Sequence, residues 1–252
     1  MEHIQTEKEI LQNGNHPFLV NLEYAFQNES KLYFVMNFMK GGELFQHLKK
    51  QGTFQEMQAK FYTCCIILAL GHLHNIDFIY RDLKLENIML DEKGYARLTD
   101  FGLAKFIKKE ELAKTFCGTP EYLSPEILRG EGHNRPSDWW CVGILVYEMM
   151  FGIPPYVDKN MNQMYRMILK EKIKFRAGIK VSDSCKDFIN RLLEKDPNKR
   201  LGSKFDSLEV LNHDWLKEVD IQLLIAKKYK APFIPQLDEN FLDNFDPDFT
   251  KE

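Results

Sequence analysis

A chain of 252 residues, 44% hydrophobic and 28% charged, is long enough to form one large domain or two small ones around a sizeable core. Its formal net charge of -3 argues against a nucleic-acid-binding surface as the main function. The five cysteines form no C-x-x-C pair, the opening residues are too charged for a signal peptide, and the longest apolar run, Trp139 to Tyr147, is too short to cross a bilayer. Together these features predict a protein with reduced thiols and no membrane segment, placed in the cytoplasm with the nucleus as the alternative.

The first predicted element is a helix. At about 100° per residue Ile4, Ile10 and Leu11 share a stripe, and Glu7 falls inside it, so its carboxylate calls for a cationic partner. Two strand-like runs follow, 18–26 and 31–38, joined by Gln27–Ser30 as an antiparallel hairpin. Gly41 and Gly42 break that pattern. Thr53 and Glu56 have the spacing of a capping box for a long helix running to about residue 74, and Ser137 is placed to cap a mostly buried helix over 138–150. Helical segments continue to about Trp215, and the tail, rich in Pro, Asp and Phe, has no strong periodicity. Strands first and helices afterwards predict an α+β fold.

Between the two long helices lies the stretch YRDLKLENIMLDEKGYARLTDFG, residues 80–102. Residues 87–90 and 95–100 read as strand and strand around a turn at Asp91–Gly94, which would make Asn87 and Asp100 neighbours at the open end of a regular hairpin. Asp82 and Lys84 arrive there from the preceding loop. Two carboxylates, a carboxamide and an ammonium form an oxygen-rich set suited to magnesium with substrate phosphates, although single Asp and Asn residues also commonly cap turns.

These residues carry a resemblance. YRDLKLEN resembles the catalytic loop of eukaryotic protein kinases, with Tyr80 in place of the usual His, and Asp100-Phe101-Gly102 matches the motif that follows it. GTPEYLSPE resembles the end of the activation segment, with Ser124 replacing the usual Ala, while DPNKRLG and the NFD tail are similar to the AGC group, which includes cyclic-nucleotide-dependent kinases and protein kinases B and C. The resemblance spans essentially the whole chain. It implies a bilobal protein-kinase-like fold with a truncated N-terminal β lobe: residues 1–36 as a residual N-lobe, 37–215 as hinge and helical C-lobe, and 216–252 as a shortened C-terminal tail.

By position, the resemblance implies ATP and Mg2+ as cofactors and protein Ser/Thr hydroxyls as acceptors. Asp82 would orient or deprotonate the acceptor, Lys84 would neutralise the transferred group, and Asn87 and Asp100 would hold magnesium. Lys84 and Thr119 favour serine/threonine over tyrosine. Asn37 and Met39 match the hinge, and Met89, Thr99 and Phe245 complete the nucleotide pocket. Glu43 and Glu86 match acids that bind arginines ahead of the acceptor, with Arg166 replacing a third such acid. Phe116, Pro120 and Leu123 would line a pocket for the residue after the acceptor. Glu126 and Arg200 resemble a buried ion pair, and Asp138 an acid that braces the catalytic loop. Thr115 resembles a site for an upstream activating kinase, gathered by Arg81, Lys105 and His3, with Glu7 coupled through the first helix.

In the family a glycine-rich phosphate loop and a strand lysine lie upstream of the helix that holds Glu7. Neither occurs in the 252 residues, which also end before the hydrophobic motif of many AGC kinases. The reading is therefore a serine/threonine kinase given without its first strands, with a pseudokinase-like binding module as the alternative. A small-molecule phosphotransferase is disfavoured, because GTPEYLSPE is a peptide-binding segment.

Overall fold

The computed structural model describes residues 7–11, 14–237 and 241–245. Residues 7–11 are helical (α1), and Ile10 and Leu11 are buried as their stripe requires; Ile4 lies outside the described residues. The hairpin is antiparallel β1 (Leu22–Gln27) with β2 (Leu32–Met36). Its turn is held by the Asn28 side chain, whose Oδ1 accepts from the Ser30 and Lys31 amides. The first apolar run is nevertheless split. Phe18 and Leu19 are in the core, and the 18–20 segment pairs with Leu98, at 2.9 Å for both Val20 N to Leu98 O and Leu98 N to Phe18 O. Tyr24 and Phe26 instead project into solvent. One run thus serves two different partners, with a register shift between Leu22 and Tyr24 where it changes over.

After β3 (Gly42–Glu43) and α2 (Leu44–Gln51), α3 (Glu56–Asn75) runs through the centre of the helical part. The Thr53–Glu56 capping box does not form. Gln55 is the N-cap without a side-chain bond, because the Glu56 carboxylate accepts from Ser182 N at 3.0 Å and Trp215 Nε1 at 2.8 Å. Tertiary partners take the carboxylate from the local cap. The catalytic-loop region then contributes β4 (Phe78–Ile79), β5 (Ile88–Leu90), β6 (Ala96–Leu98) and β7 (Lys105–Phe106). These form a three-stranded sheet in the order β3-β5-β6 and a separate β4-β7 pair.

The remaining helices are α4 (Pro125–Arg129), α5 (Pro136–Phe151), α6 (Met161–Lys170), α7 (Asp183–Leu192), α8 (Asp206–Leu211) and α9 (Ile221–Ile225). Every residue of α5 from Ser137 to Phe151 is buried, as expected of a helix that is apolar nearly all round. It packs against α3 and α7. Gly143 permits that approach, since a Cβ there would meet Leu193 Cδ2 at 2.8 Å. Ser137 is not the cap: it sits in the first turn and donates to Asn134 O at 2.8 Å, while Pro136 opens the helix. Arg200, fully buried, makes a two-pronged pair with Glu126 at 2.7 and 2.8 Å, tying the 194–202 loop to α4. The architecture is α+β: among the described residues, the β1–β2 pair forms its own sheet beside a mainly helical lobe, and α1 joins the common core through Ile10 and Leu11. No described helix is long and apolar enough to cross a membrane.

Candidate active site

The loop after β4 is fixed from beneath. Asp138, fully buried in the first turn of α5, accepts from the Arg81 amide through Oδ1 at 2.9 Å and from the Tyr80 amide through Oδ2 at 2.9 Å. Oδ2 also receives His74 Nε2 at 2.8 Å, and the other ring nitrogen of His74 meets Asp206 Oδ1 at 2.8 Å. Burial works against a charged imidazole, but bonds and charge from Asp138 and Asp206 outweigh it and raise His74 to about 9. An imidazolium donating to both carboxylates is therefore the resting state at neutral pH. The loop it supports is strained: Arg81 has φ +71°, in the left-handed region, and is retained there by Asp138 and by its own Nε bond to Leu103 O at 2.6 Å.

One residue further on, three donors converge on the Asp82 carboxylate. Lys84 Nζ and Asn87 Nδ2 each lie 2.9 Å from Oδ2, and Thr119 Oγ1 donates to Oδ1 at 3.1 Å. Asn87 Nδ2 also bonds Asp82 O at 2.9 Å. The Asp82–Thr119 bond joins the catalytic loop to the activation segment. Gly118, at φ +114°, makes that approach possible, since a Cβ would lie 3.1 Å from Arg81 O. The sequence offered Thr119 only as a sign of acceptor type; its contact with Asp82 joins residues 37 positions apart and has no local signal.

Asn87 and Asp100 share the open end of the β5–β6 hairpin, but not as a direct pair. The register is Ile88 opposite Leu98, and Thr99 N donates to Asn87 O at 3.0 Å, so Thr99 faces Asn87 and Asp100 lies one residue beyond. The reason is the turn: Asp91 Oδ1 accepts from both the Lys93 and Tyr95 amides, closing a loop with one residue fewer than a pairing of Asn87 with Asp100 requires. Asp100 is exposed at φ +57°, with Oδ1 accepting from Gly102 N at 3.2 Å, while Phe101 is buried edge-on against Tyr80. Glu7 is close enough for the Asp100 charge to add to burial in raising its carboxyl, and it has no cationic partner among the described residues. With the Asn87 amide nitrogen committed to Asp82, its carboxamide oxygen is left as an acceptor, and Asp100 Oδ2 makes no bond within the described residues. Two oxygens of this kind fit magnesium, which takes few protein ligands when phosphates supply the rest. No group of three or more His, Cys, Asp or Glu suited to a metal occurs among the described residues.

The five residues that the resemblance assigns to a nucleotide pocket meet. Asn37, Met39, Met89, Thr99 and Phe245 line a single cleft of about 270 Å3 with Val20, Met36 and Phe38, and Phe38 stacks on Phe245 at 5.5 Å. Around the acceptor side the grouping is partial. Leu123 is buried beside Asp82 in a narrow crevice that also holds Gly118 and Thr119, whereas Phe116, 60% exposed, and Pro120 stay outside it. Glu43, in β3 opposite Met89, packs near the Leu85–Asn87 turn that carries Glu86. A third carboxylate, not recognised from sequence, belongs with them. Glu148, buried in α5, bonds the Tyr122 hydroxyl, and burial together with the charges of Glu86 and Glu121 raises it to about 7. Arg166 lies exposed on α6.

Thr115 is exposed on the activation segment. Of its expected partners, Arg81 presents a buried Nη1 with no hydrogen-bond partner, and Lys105 stands in β7 opposite Ile79. Cys117, two residues on, is raised mainly by burial and feels the charges of both Arg81 and Lys105. His3 lies outside the described residues.

This fold and loop geometry define a protein kinase. A protein kinase domain family model matches residues 1–216, and the chain belongs to that family. It is similar to serine/threonine-protein kinase Sgk2 of Rattus norvegicus, at 46% identity covering 99% of this chain and 68% of the relative. It is also similar to serine/threonine-protein kinase Sgk1 of Homo sapiens, at 44% identity covering all of this chain and 58% of the relative. Sgk1 of Xenopus tropicalis matches likewise, at 44% identity and 60% of its length. The chain is thus a serine/threonine protein kinase of the AGC group that spans about three-fifths to two-thirds of these relatives.

Proposed function

We propose that this chain transfers the γ-phosphoryl group of ATP to serine and threonine hydroxyls of proteins whose acceptor is preceded by basic residues, and that it acts in the cytoplasm. The observation that carries the reading is the Asp82 carboxylate fixed by Lys84, Asn87 and Thr119. So held, Asp82 orients the acceptor hydroxyl and takes its proton as the oxygen attacks, while Lys84 lies beside it to neutralise charge on the transferred group. Adenine occupies the 270 Å3 cleft, with the Asn37–Met39 backbone as its hydrogen-bonding edge. Asn87 and Asp100 would hold magnesium, which supplies charge neutralisation at the phosphates. Glu43 and Glu86, with the buried Glu148 close enough to feel the Glu86 charge, form the acidic side for a basic peptide, and Phe116, Pro120 and Leu123 the apolar contact beyond the acceptor. Five free thiols, four of them buried, fit a reducing compartment.

The test separates metal from acceptor chemistry. Asp100→Ala removes most of the magnesium dependence of nucleotide binding by the 252-residue chain, read by calorimetry, whereas Asp82→Asn leaves it within twofold. Both variants reduce phosphorylation of a basic serine peptide at least tenfold. Equal magnesium dependence in the two variants, or turnover above a tenth of the parent in both, overturns the assignment.

A further inference from the structure

A cavity of about 470 Å3, larger than the nucleotide cleft, lies in the helical lobe away from the site. Three stretches supply most of its wall. The activation segment contributes Lys109 and Leu112, the loop before α5 contributes His133 and Arg135, and the start of α8 with the residues before it contributes Lys204, Phe205 and Leu208.

The charges in its wall divide sharply. Glu126 is bound on both oxygens by Arg200, Asp206 accepts from His74 and Trp139, and Arg135 is paired with Asp77 at 2.8 Å. Lys109 and Lys204 are exposed and belong to no ion pair among the described residues, so the uncommitted charge is positive. Around them Leu112, Phe205 and Leu208 are 56, 71 and 67% exposed, a large apolar surface for such a small area. One further group is out of place. His133 is 3% exposed, yet its Nε2 has no hydrogen-bond partner. A buried polar atom left without a partner is costly, and His133 is among the residues that line the cavity. Burial and the Arg81 charge keep this imidazole neutral, so it serves as a hydrogen-bonding rather than an ionic contact.

We propose that this cavity is a second ligand site, for a small amphipathic organic anion. The apolar body lies against Leu112, Phe205 and Leu208, the anionic head sits between Lys109 and Lys204, and a polar atom of the body meets His133 Nε2. The volume is that of a site for a small molecule, and the pairing of an apolar wall with two uncommitted cations selects an anion over a neutral or cationic ligand.

The probe is 8-anilinonaphthalene-1-sulfonate, whose arene, sulfonate and bridging amine match the three demands. Titrated into the 252-residue chain, it gives one saturable fluorescence enhancement that persists in excess magnesium-ATP. Leu208→Asp and Lys204→Glu each weaken binding at least tenfold with an unchanged melting midpoint, because both side chains are exposed. Lys180→Glu, the same charge change at an exposed lysine elsewhere, leaves it within twofold. Displacement by magnesium-ATP, or equal affinity in all three variants and the parent, overturns the proposal.

Discussion

The His74 bridge makes a quantitative claim on stability. His74 is fully buried between Asp138 and Asp206, and its pKa rises from 6.5 to about 9 on folding. Because the folded value lies above the unfolded one, the contribution is complete below pH 6.5 and is lost as pH climbs through 9. A rise of that size corresponds to about 3 kcal/mol. Measured by urea unfolding from pH 6 to 9.5, the parent should therefore lose about 3 kcal/mol more than His74→Gln does. Other groups that titrate in this range, the buried cysteines among them, are common to both proteins and cancel in the difference. His74→Gln is the less stable protein at pH 6.5, since it leaves the buried Asp138 and the half-buried Asp206 short of a cation, and its deficit narrows at high pH. Parallel curves for parent and variant, or a His74 imidazole that titrates near 6.5 by NMR, would refute the doubly bonded imidazolium.

Glu148 gives a second, separable window. Burial raises it from 4.5 to about 7, aided by Glu86 and Glu121 and opposed by the Tyr122 bond, so stability present below pH 4.5 is lost as pH rises through 7. Glu148→Gln should flatten that window and be more stable than the parent at pH 8 by about 2–3 kcal/mol, checked by the same unfolding series. Phosphorylation of Thr115 should raise the melting midpoint and peptide turnover by giving the unpartnered Arg81 Nη1 and Lys105 an anion. Thr115→Ala and Arg81→Ala should each abolish that gain, and the double variant should lose no more than either. Additive losses would mean that the two residues do not share one interaction.

Short-range signals in the sequence suffice where local chemistry decides the outcome. The hairpin of β1 and β2, the buried α5, and the cluster of Asp82, Lys84 and Asn87 all follow from spacing within a few residues. Asn37, Met39, Met89, Thr99 and Phe245 came from family resemblance, and they meet in one cleft. Failures occurred where distant partners compete for a side chain. Glu56 gave up its capping box to Ser182 and Trp215, residues more than 120 positions away. Ser137 turned back to Asn134, because Pro136 already opens the helix. Glu148 escaped notice inside an apolar helix whose pattern predicts only core. His74 likewise shows no sign in its own segment of the two aspartates that charge it, which lie 64 and 132 residues away.

The two sets of charged groups in this lobe follow opposite rules. Asp138, His74, Asp206, Glu126 and Arg200 lie in or beside the core, and each carboxylate is matched by donors: three for Asp138, two from Arg200 for Glu126, and His74 and Trp139 for Asp206. Removing any one of them leaves a buried charge uncompensated, which is why such groups fix geometry so effectively. Asp82, Asn87 and Asp100 are held differently, by contacts that orient them while leaving acceptor capacity unspent. Asn87 spends its amide nitrogen on Asp82 and keeps its oxygen, and Asp100 spends one oxygen on Gly102 and stays exposed. The first set lies directly beneath the second, joined through the amides of Tyr80 and Arg81 that Asp138 receives. The strained Arg81 backbone is the point where they meet. It is tolerated because saturated charges hold it from below, and it sets the neighbouring Asp82, itself buried, among Lys84, Asn87 and Thr119.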